Sequence, residues 1–199
     1  MPNAISNLAE SFEAFMAWLS ANRAEELAAL EHTVNGFEHW LRLEFWVWLL
    51  GEGIPQDEVG LEYRAELDEK GASLRPDKQK RIDLWVRAQS NKERYHYVEF
   101  KVVFPNANAG KMFRQAASDL WYLRHLDKSQ LVASVSVVVI GRSVGDFVWE
   151  RGRKAIVKGA ELPAEAQPTR SDSTNAIRWD VWTVCTGGTG LDPPGMSVE

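Results

Sequence analysis

RIDLWVRA (81–88), QSNKE (89–93) and RYHYVEFKVVF (94–104) decide how this chain is read. Two apolar-alternating runs flank a polar connection containing Ser90, Asn91 and Lys92, a pattern that predicts two antiparallel strands joined by a short loop. A loop centred on Asn91 sets Arg87 opposite Tyr95, Trp85 opposite Tyr97, Asp83 opposite Glu99 and Arg81 opposite Lys101, all on one face. Directly opposed side chains have Cβ separations of roughly 4.5–5.5 Å, and like charges there are destabilising. The Asp83–Glu99 pair therefore needs a reason to exist. A divalent cation supplies one, because Mg²⁺ is a hard ion that takes carboxylate oxygens and keeps waters for a phosphate substrate. Lys101 lies two residues past Glu99 and projects from the same face. The plainer alternative is a solvated sheet face with a cross-strand ion pair. Against it, Trp85, Tyr97 and Val103 share that face and predict that it is partly covered.

Asp83, a gap of fifteen residues, and then Glu99-Phe100-Lys101 inside VEFKV resemble the active-site hairpin of the PD-(D/E)xK nuclease superfamily. Ile82 stands where that family's familiar proline precedes the aspartate. The resemblance implies an α/β, restriction-endonuclease-like fold: an αβββαβ core with a central mixed sheet flanked by helices. It implies that Asp83, Glu99 and the backbone carbonyl of Phe100 hold Mg²⁺, with Mn²⁺ as a substitute, and that Lys101 orients a water and offsets developing negative charge. In the family a helix ahead of the sheet often gives the metal site an extra acidic residue, a role that falls on Glu44; an ordinary helix-end glutamate is the alternative. A glutamine on the helix after the ExK strand often faces the site, which points to Gln115; a polar residue on the outer face is the alternative there. The implied activity is metal-dependent hydrolysis of phosphodiester bonds in nucleic acid, DNA before RNA. A scaffold that keeps the fold and binds protein or nucleic acid without cutting is the competing expectation.

With 199 residues, 45% of them hydrophobic, the chain suits one domain better than two. We place that domain at 1–186, with its core at about 37–141, an N-terminal helical extension at 6–33 and a disordered tail at 187–199. Cys185 is the sole cysteine, and the N-terminus lacks the basic start and apolar core of a secretory signal, so a reducing, cytoplasmic setting is expected. The longest apolar runs, FWVWLL from Phe45 and VSVVVI from Val135, fall far short of the roughly 20 residues of a spanning helix; no membrane partner is expected. Nine tryptophans leave apolar surface for an interface, such as a homodimer.

The net charge of −5 is unevenly spread: residues 1–70 carry −10 and residues 71–199 carry +5. Arg75, Lys78, Lys80, Arg81, Arg87, Lys92 and Arg94 form one basic group around the hairpin. Arg151, Arg153, Lys154 and Lys158 form a second, and either could meet phosphates or be ordinary solvated surface.

Ser6-Asn7 caps a helical pattern through Leu8, Phe12, Phe15, Met16 and Leu19, continued to Val34 as one helix or two with a break near 20–22. A second helix spans 37–50, closed by Gly51 and Gly53; within it Glu38 is read as an ion pair with Arg42. VGLEYRAEL alternates as a half-buried strand, and DEKGASLRPDKQK is a polar loop. After Pro105 a third helix covers KMFRQAASDLWYLRHL. SQLVASVSVVVIG reads as a strand covered on both faces and central in the sheet. A short helix around 145–151, a polar loop ELPAEAQPTRSDSTN and a last strand from Ile177 follow. There is no GxxxxGK[ST], no GxGxxG after a strand and no GxSxG, and the four histidines lack zinc spacing.

Overall fold

The computed structural model describes residues 7–29, 36–88, 93–174 and 177–185. The expected hairpin loop at Asn91, residues 30–35 with the end of the expected N-terminal helical pattern, and the expected disordered tail lie outside those residues.

Asn7 caps helix α1 (Leu8–Asn22), its side chain accepting from the Ala9 N–H at 3.0 Å. Arg23 interrupts the helix, and α2 (Ala24–Ala29) follows, so the N-terminal pattern is two helices. α3 spans Phe37–Gly51. Then come β1 (Val59–Glu66), a single capped turn α4 (Glu69–Ala72) inside the expected loop, β2 (Gln79–Arg87), β3 (Tyr95–Val103), α5 (Ala109–Arg124) and β4 (Val132–Arg142). α6 (Asp146–Gly159) is longer than its sequence pattern implies. The polar RSDST forms β5 (Arg170–Thr174) where a loop is expected, and β6 (Ile177–Cys185) ends the described chain.

The six strands make one mixed sheet in the order β1-β2-β3-β4-β6-β5. Only β3 and β4 run parallel, with α5 as the crossover between them; every other neighbouring pair is antiparallel. β4 lies between β3 and β6 with both faces covered, which is why its apolar run is continuous rather than alternating. α1, α2 and α3 pack on one face against Val98, Phe100, Val102, Val138, Ile140, Trp179 and Val181. α5 and α6 pack on the other against Tyr97, Val103, Val135, Val137, Val139 and Trp182. The chain is thus an α/β structure with helices on both faces of the sheet. Among the described residues no helix is long and apolar enough to cross a membrane.

One irregularity positions the candidate site. The β1–β2 ladder is in register at Leu61↔Leu84 and again at Tyr63↔Ile82, but Glu62 and Asp83 between them do not pair. Glu62 has φ 59°, in the left-handed region that non-glycine residues enter rarely. Both strands exchange faces there: Val59, Leu84 and Val86 belong to the α1–α3 layer, whereas Ala65 and Ile82 belong to the α5–α6 layer. β2 also leaves β3 at this point. Their ladder includes the expected Arg87↔Tyr95 and Trp85↔Tyr97 pairs and stops at Leu84↔Val98.

Two glycines let α6 sit close to its neighbours. A Cβ on Gly152 would lie 2.4 Å from the ring of Phe113 on α5, and one on Gly159 would lie 2.8 Å from the Ala117 Cβ. On propensity alone Gly152→Ala should stabilise α6 by about 1 kcal/mol, but overpacking a filled core costs roughly 1–3 kcal/mol, and Phe113 has no exposed surface to retreat into. Gly152→Ala should therefore lower the melting temperature, by about 2–4 °C per kcal/mol lost in a chain of this size. A higher melting temperature by calorimetry would mean that α5 and α6 are not in such contact.

Candidate functional site

Where β2 leaves β3, the Asp83 carboxylate enters the gap. Its Oδ2 accepts the Phe100 N–H at 2.9 Å, a backbone donor that a continuous β2–β3 ladder would have used. Its Oδ1 accepts from Arg42 on α3, also at 2.9 Å. Asp83 and Glu99 are thus brought together, but by this insertion rather than as a flat cross-strand pair. Likewise Arg81 pairs with Arg64 in the β1 ladder instead of facing Lys101, and its side chain meets Glu62 at 2.5 Å.

Glu99 is the deepest member, only 3% exposed. Its Oε1 lies 2.7 Å from Lys80 Nζ without the alignment of a hydrogen bond, and its Oε2 is 3.9 Å from Lys101 Nζ. Lys80 Nζ also donates to Asp119 Oδ1 on α5 at 2.9 Å. Lys101 Nζ lies 3.3 Å from Asp119 Oδ2 and 3.3 Å from Glu38 Oε1 on α3, and it donates to the carbonyl of its neighbour Phe100 at 2.9 Å. Asp119 therefore bridges two ammonium groups, while Arg42 is forked between Asp83 and Glu62 Oε1, the latter at 3.2 Å.

Helix α3 feeds this cluster from one flank. Its buried stripe is Phe37, Leu41, Phe45 and Leu49, and Glu38 and Arg42, one turn apart, edge it on the side of the site. Two residues on from Arg42, at about 100° per residue, Glu44 lies on the opposite flank. There it is half-buried, with no hydrogen bond or ion pair among the described residues. Glu38 does not pair with Arg42 as its spacing suggests; each turns to a strand instead. On α5 the exposed Gln115 precedes Asp119 by one helical turn, and it is Asp119 that reaches the cluster. Asp83, Glu99, Phe100 and Lys101 therefore lie together, though not through the expected cross-strand pairing, and Glu44 and Gln115 are not among their contacts. Sequence reasoning missed Glu38, Arg42, Glu62 and Asp119, and it treated Lys80 as surface charge. For Asp119 a signal was available: an acid one turn beyond Gln115 on the same face of the helix.

The electrostatics follow from depth. Burial pushes the Glu99 carboxyl up to about 8, helped by the charge of Asp83 and opposed incompletely by Lys80 and Lys101. Burial by itself would lower Lys80, yet the carboxylates of Glu99 and Asp119 hold it above its usual value. Lys101 is likewise raised against its own burial, by Asp119, Glu38, Glu99 and Asp83. Both lysines stay charged at neutral pH.

Oxygen donors for a hard cation are present in kind: Asp83, Glu99 and the Phe100 carbonyl. Oε1 of Glu99 already has the Lys80 ammonium at 2.7 Å, whereas Oε2 has its nearest ammonium, Lys101, at 3.9 Å. Among the described residues no group of three or more His, Cys, Asp or Glu side chains is placed to hold a metal, so a bound ion would rest on two carboxylates and a carbonyl. The second basic group is partly spent elsewhere: Arg153 binds the fully buried Asp180 through Nε at 2.8 Å and NH2 at 2.6 Å.

The raised carboxyl of Glu99 gives a pH signature. The unfolded chain releases this proton near 4.5 and the folded chain near 8. Between those values the folded state holds the extra proton, so this group's contribution lowers stability as pH rises and levels off above 8. Glu99→Gln removes the proton, and its stability relative to wild type should climb between pH 5 and pH 9, by on the order of a few kcal/mol. Parallel profiles in denaturant titrations of the two proteins would contradict this account of Glu99. Compared with known proteins, the chain matches no family model, no curated protein and no solved structure.

Proposed function

We propose that this protein is a divalent-metal-dependent nuclease of the PD-(D/E)xK type, built on a restriction-endonuclease-like αβββαβ core, that hydrolyses phosphodiester bonds in DNA. The observation that carries the reading is the convergence of Asp83, Glu99 and Lys101 where β2 and β3 part. The order of α3, β1, β2, β3, α5 and β4 supports it.

In this reading Asp83, Glu99 and the Phe100 carbonyl hold Mg²⁺, or Mn²⁺ in its place. When bound, the ion polarises the scissile phosphate and lowers the pKa of a water. Lys101 is kept charged by Asp119 and Glu38 and supplies a fixed ammonium next to the phosphate, where negative charge develops on reaction. Lys101 now donates to the Phe100 carbonyl and would turn that donor toward the attacking water. Lys80 balances the inner oxygen of Glu99 and keeps the carboxylate in place. Glu38 and Asp119, rather than the Glu44 and Gln115 that the resemblance offered, are the helix-borne acids of the cluster, and both act through the lysines they hold. Arg81, the most exposed cation of the cluster with a side chain 62% exposed and now paired with Glu62, would meet the nucleic-acid backbone in this reading.

One observation favours a second reading, a scaffold that binds without cutting: Asp83, Glu99 and the Phe100 carbonyl each already have a cationic neighbour in Arg42, Lys80 and Lys101. The two readings separate in one set of assays. Wild-type protein with Mg²⁺ or Mn²⁺ should cleave plasmid or oligonucleotide DNA and stop on chelation. Lys101→Ala should lower the rate by about 10²-fold or more, by analogy with the loss of one transition-state donor. Unimpaired cleavage by Lys101→Ala would remove that residue from the mechanism. An absence of cleavage of DNA or RNA with either metal would favour the scaffold.

A further inference from the structure

We propose that Arg42 gates the metal site: its guanidinium neutralises Asp83 while the site lacks metal, and shifts onto Glu62 to release Asp83 to a divalent cation. The inference rests on the metal-dependent reading above and adds a residue that the resemblance does not supply.

The geometry is that of a cation with two stations. NH1 of Arg42 donates to Asp83 Oδ1 at 2.9 Å, and NH2 donates to Glu62 Oε1 at 3.2 Å. Oδ2 of Asp83 accepts the Phe100 N–H, and Oδ1 is the oxygen that Arg42 holds. A guanidinium in contact with Asp83 repels a divalent ion on the same carboxylate. Binding is therefore opposed while Arg42 stays on Asp83 and favoured when it leaves.

Its destination is already prepared. Glu62 and Asp83 occupy the same unpaired step of the β1–β2 ladder, and the left-handed backbone of Glu62 places its carboxylate within reach of the same guanidinium. The Glu62 side chain is 43% exposed, so it can take a larger share of Arg42 without a new buried charge. The Nε of Arg42 is buried and has no hydrogen bond, and NH2 meets His39 Nδ1 at 2.6 Å. The guanidinium is therefore tied by NH1 and NH2 alone, and only the NH1 tie has to break. Lys80 is different. It is shared between Glu99 and Asp119 and can yield an oxygen of Glu99 while keeping its second partner.

The test is calorimetric titration of Mn²⁺, without nucleic acid, into wild-type protein and the variants Arg42→Gln, Arg42→Lys and Asp83→Asn, each checked for folding by thermal melting. Arg42→Gln should bind Mn²⁺ about tenfold more tightly than wild type, the equivalent of about 1.4 kcal/mol. Arg42→Lys keeps the charge but cannot fork between two carboxylates, so it should fall between them. It decides the matter if the glutamine variant does not fold. Variants at Arg42 that bind Mn²⁺ equally or more weakly, with Asp83→Asn still abolishing the binding seen in wild type, overturn the gate and leave the metal-dependent reading standing. Binding that is absent from wild type, or unaffected by Asp83→Asn, overturns both.

Discussion

The hydrogen bond from the Phe100 N–H to the Asp83 carboxylate, 2.9 Å long, is what the rest of the arrangement depends on. It allows β2 to leave β3 without stranding a buried backbone donor, which would cost about 1–3 kcal/mol. Once free of β3, β2 turns with β1 toward the α5 layer and brings Ile82 and Lys80 against that side of the sheet. The turn has its own cost, since Glu62 holds a left-handed backbone worth roughly 1–3 kcal/mol of strain. A bond to a charged acceptor contributes about 1.5–3 kcal/mol, so the two nearly cancel. The pairs Glu62–Arg42 and Glu62–Arg81 lie at the same step and, being half-exposed, add only a little to that balance. Backbone irregularity and charge cluster meet at Glu62 and Asp83.

Depth sorts the charges inside that cluster. Glu38 and Glu62 lie at the rim, with side chains 42% and 43% exposed, whereas Glu99 is enclosed. Rim carboxylates can use water, so their ion pairs add little. Glu99 has no such recourse. Lys80 compensates in part, yet its ammonium is shared with Asp119, and burial still pushes the glutamic acid to about 8. The burial of Glu99 is therefore only partly offset by the two ammonium groups beside it, while the more accessible Asp83 is paired with Arg42.

Alternation made the centre of the fold legible in the sequence. The Trp85↔Tyr97 and Arg87↔Tyr95 pairs follow from the two runs around Asn91, and the uninterrupted valines of β4 mark a strand buried on both sides. The face exchange at Glu62 and Asp83 was not legible, because apolar residues alternate on each side of the kink and a period of two continues through it unbroken. β5 was hidden for another reason: an edge strand can be wholly polar, and RSDST gives no apolar signal. The helix-borne members of the site failed by angle. The resemblance puts the role on Glu44, but flank decides which side chain on α3 meets the sheet, and the spacing of Glu38 and Arg42 reads as an ion pair that neither of them makes. Asp119 carried the same angular signal as Gln115, and only family habit favoured the amide.

The uneven charge along the chain takes a different meaning once folded. In sequence the first 70 residues are acidic and the remainder basic, with basic groups that could meet phosphates or be ordinary surface. In the fold many of those charges find each other: Glu38 with Lys101, Glu62 with Arg81, Lys70 with Glu161, and Glu10 and Glu13 with Arg170 on the edge strand. The last group fastens α1 over the β5–β6 end of the sheet, and the first two fasten α3 and β1 around the Asp83 gap. Most of these contacts are half-exposed and individually weak, so they do not hold the core together; Phe12, Phe45 and Phe100, in mutual ring contact across the sheet face, do that. Their effect is on register. Apart from Lys70–Glu161, each pairs an acid from the first part of the chain with a base from the strand on which its helix or neighbouring strand sits. Complementarity of this kind favours one arrangement of helices on a sheet whose apolar face would accept several, and two of its acids, Glu38 and Glu62, border the Asp83 gap.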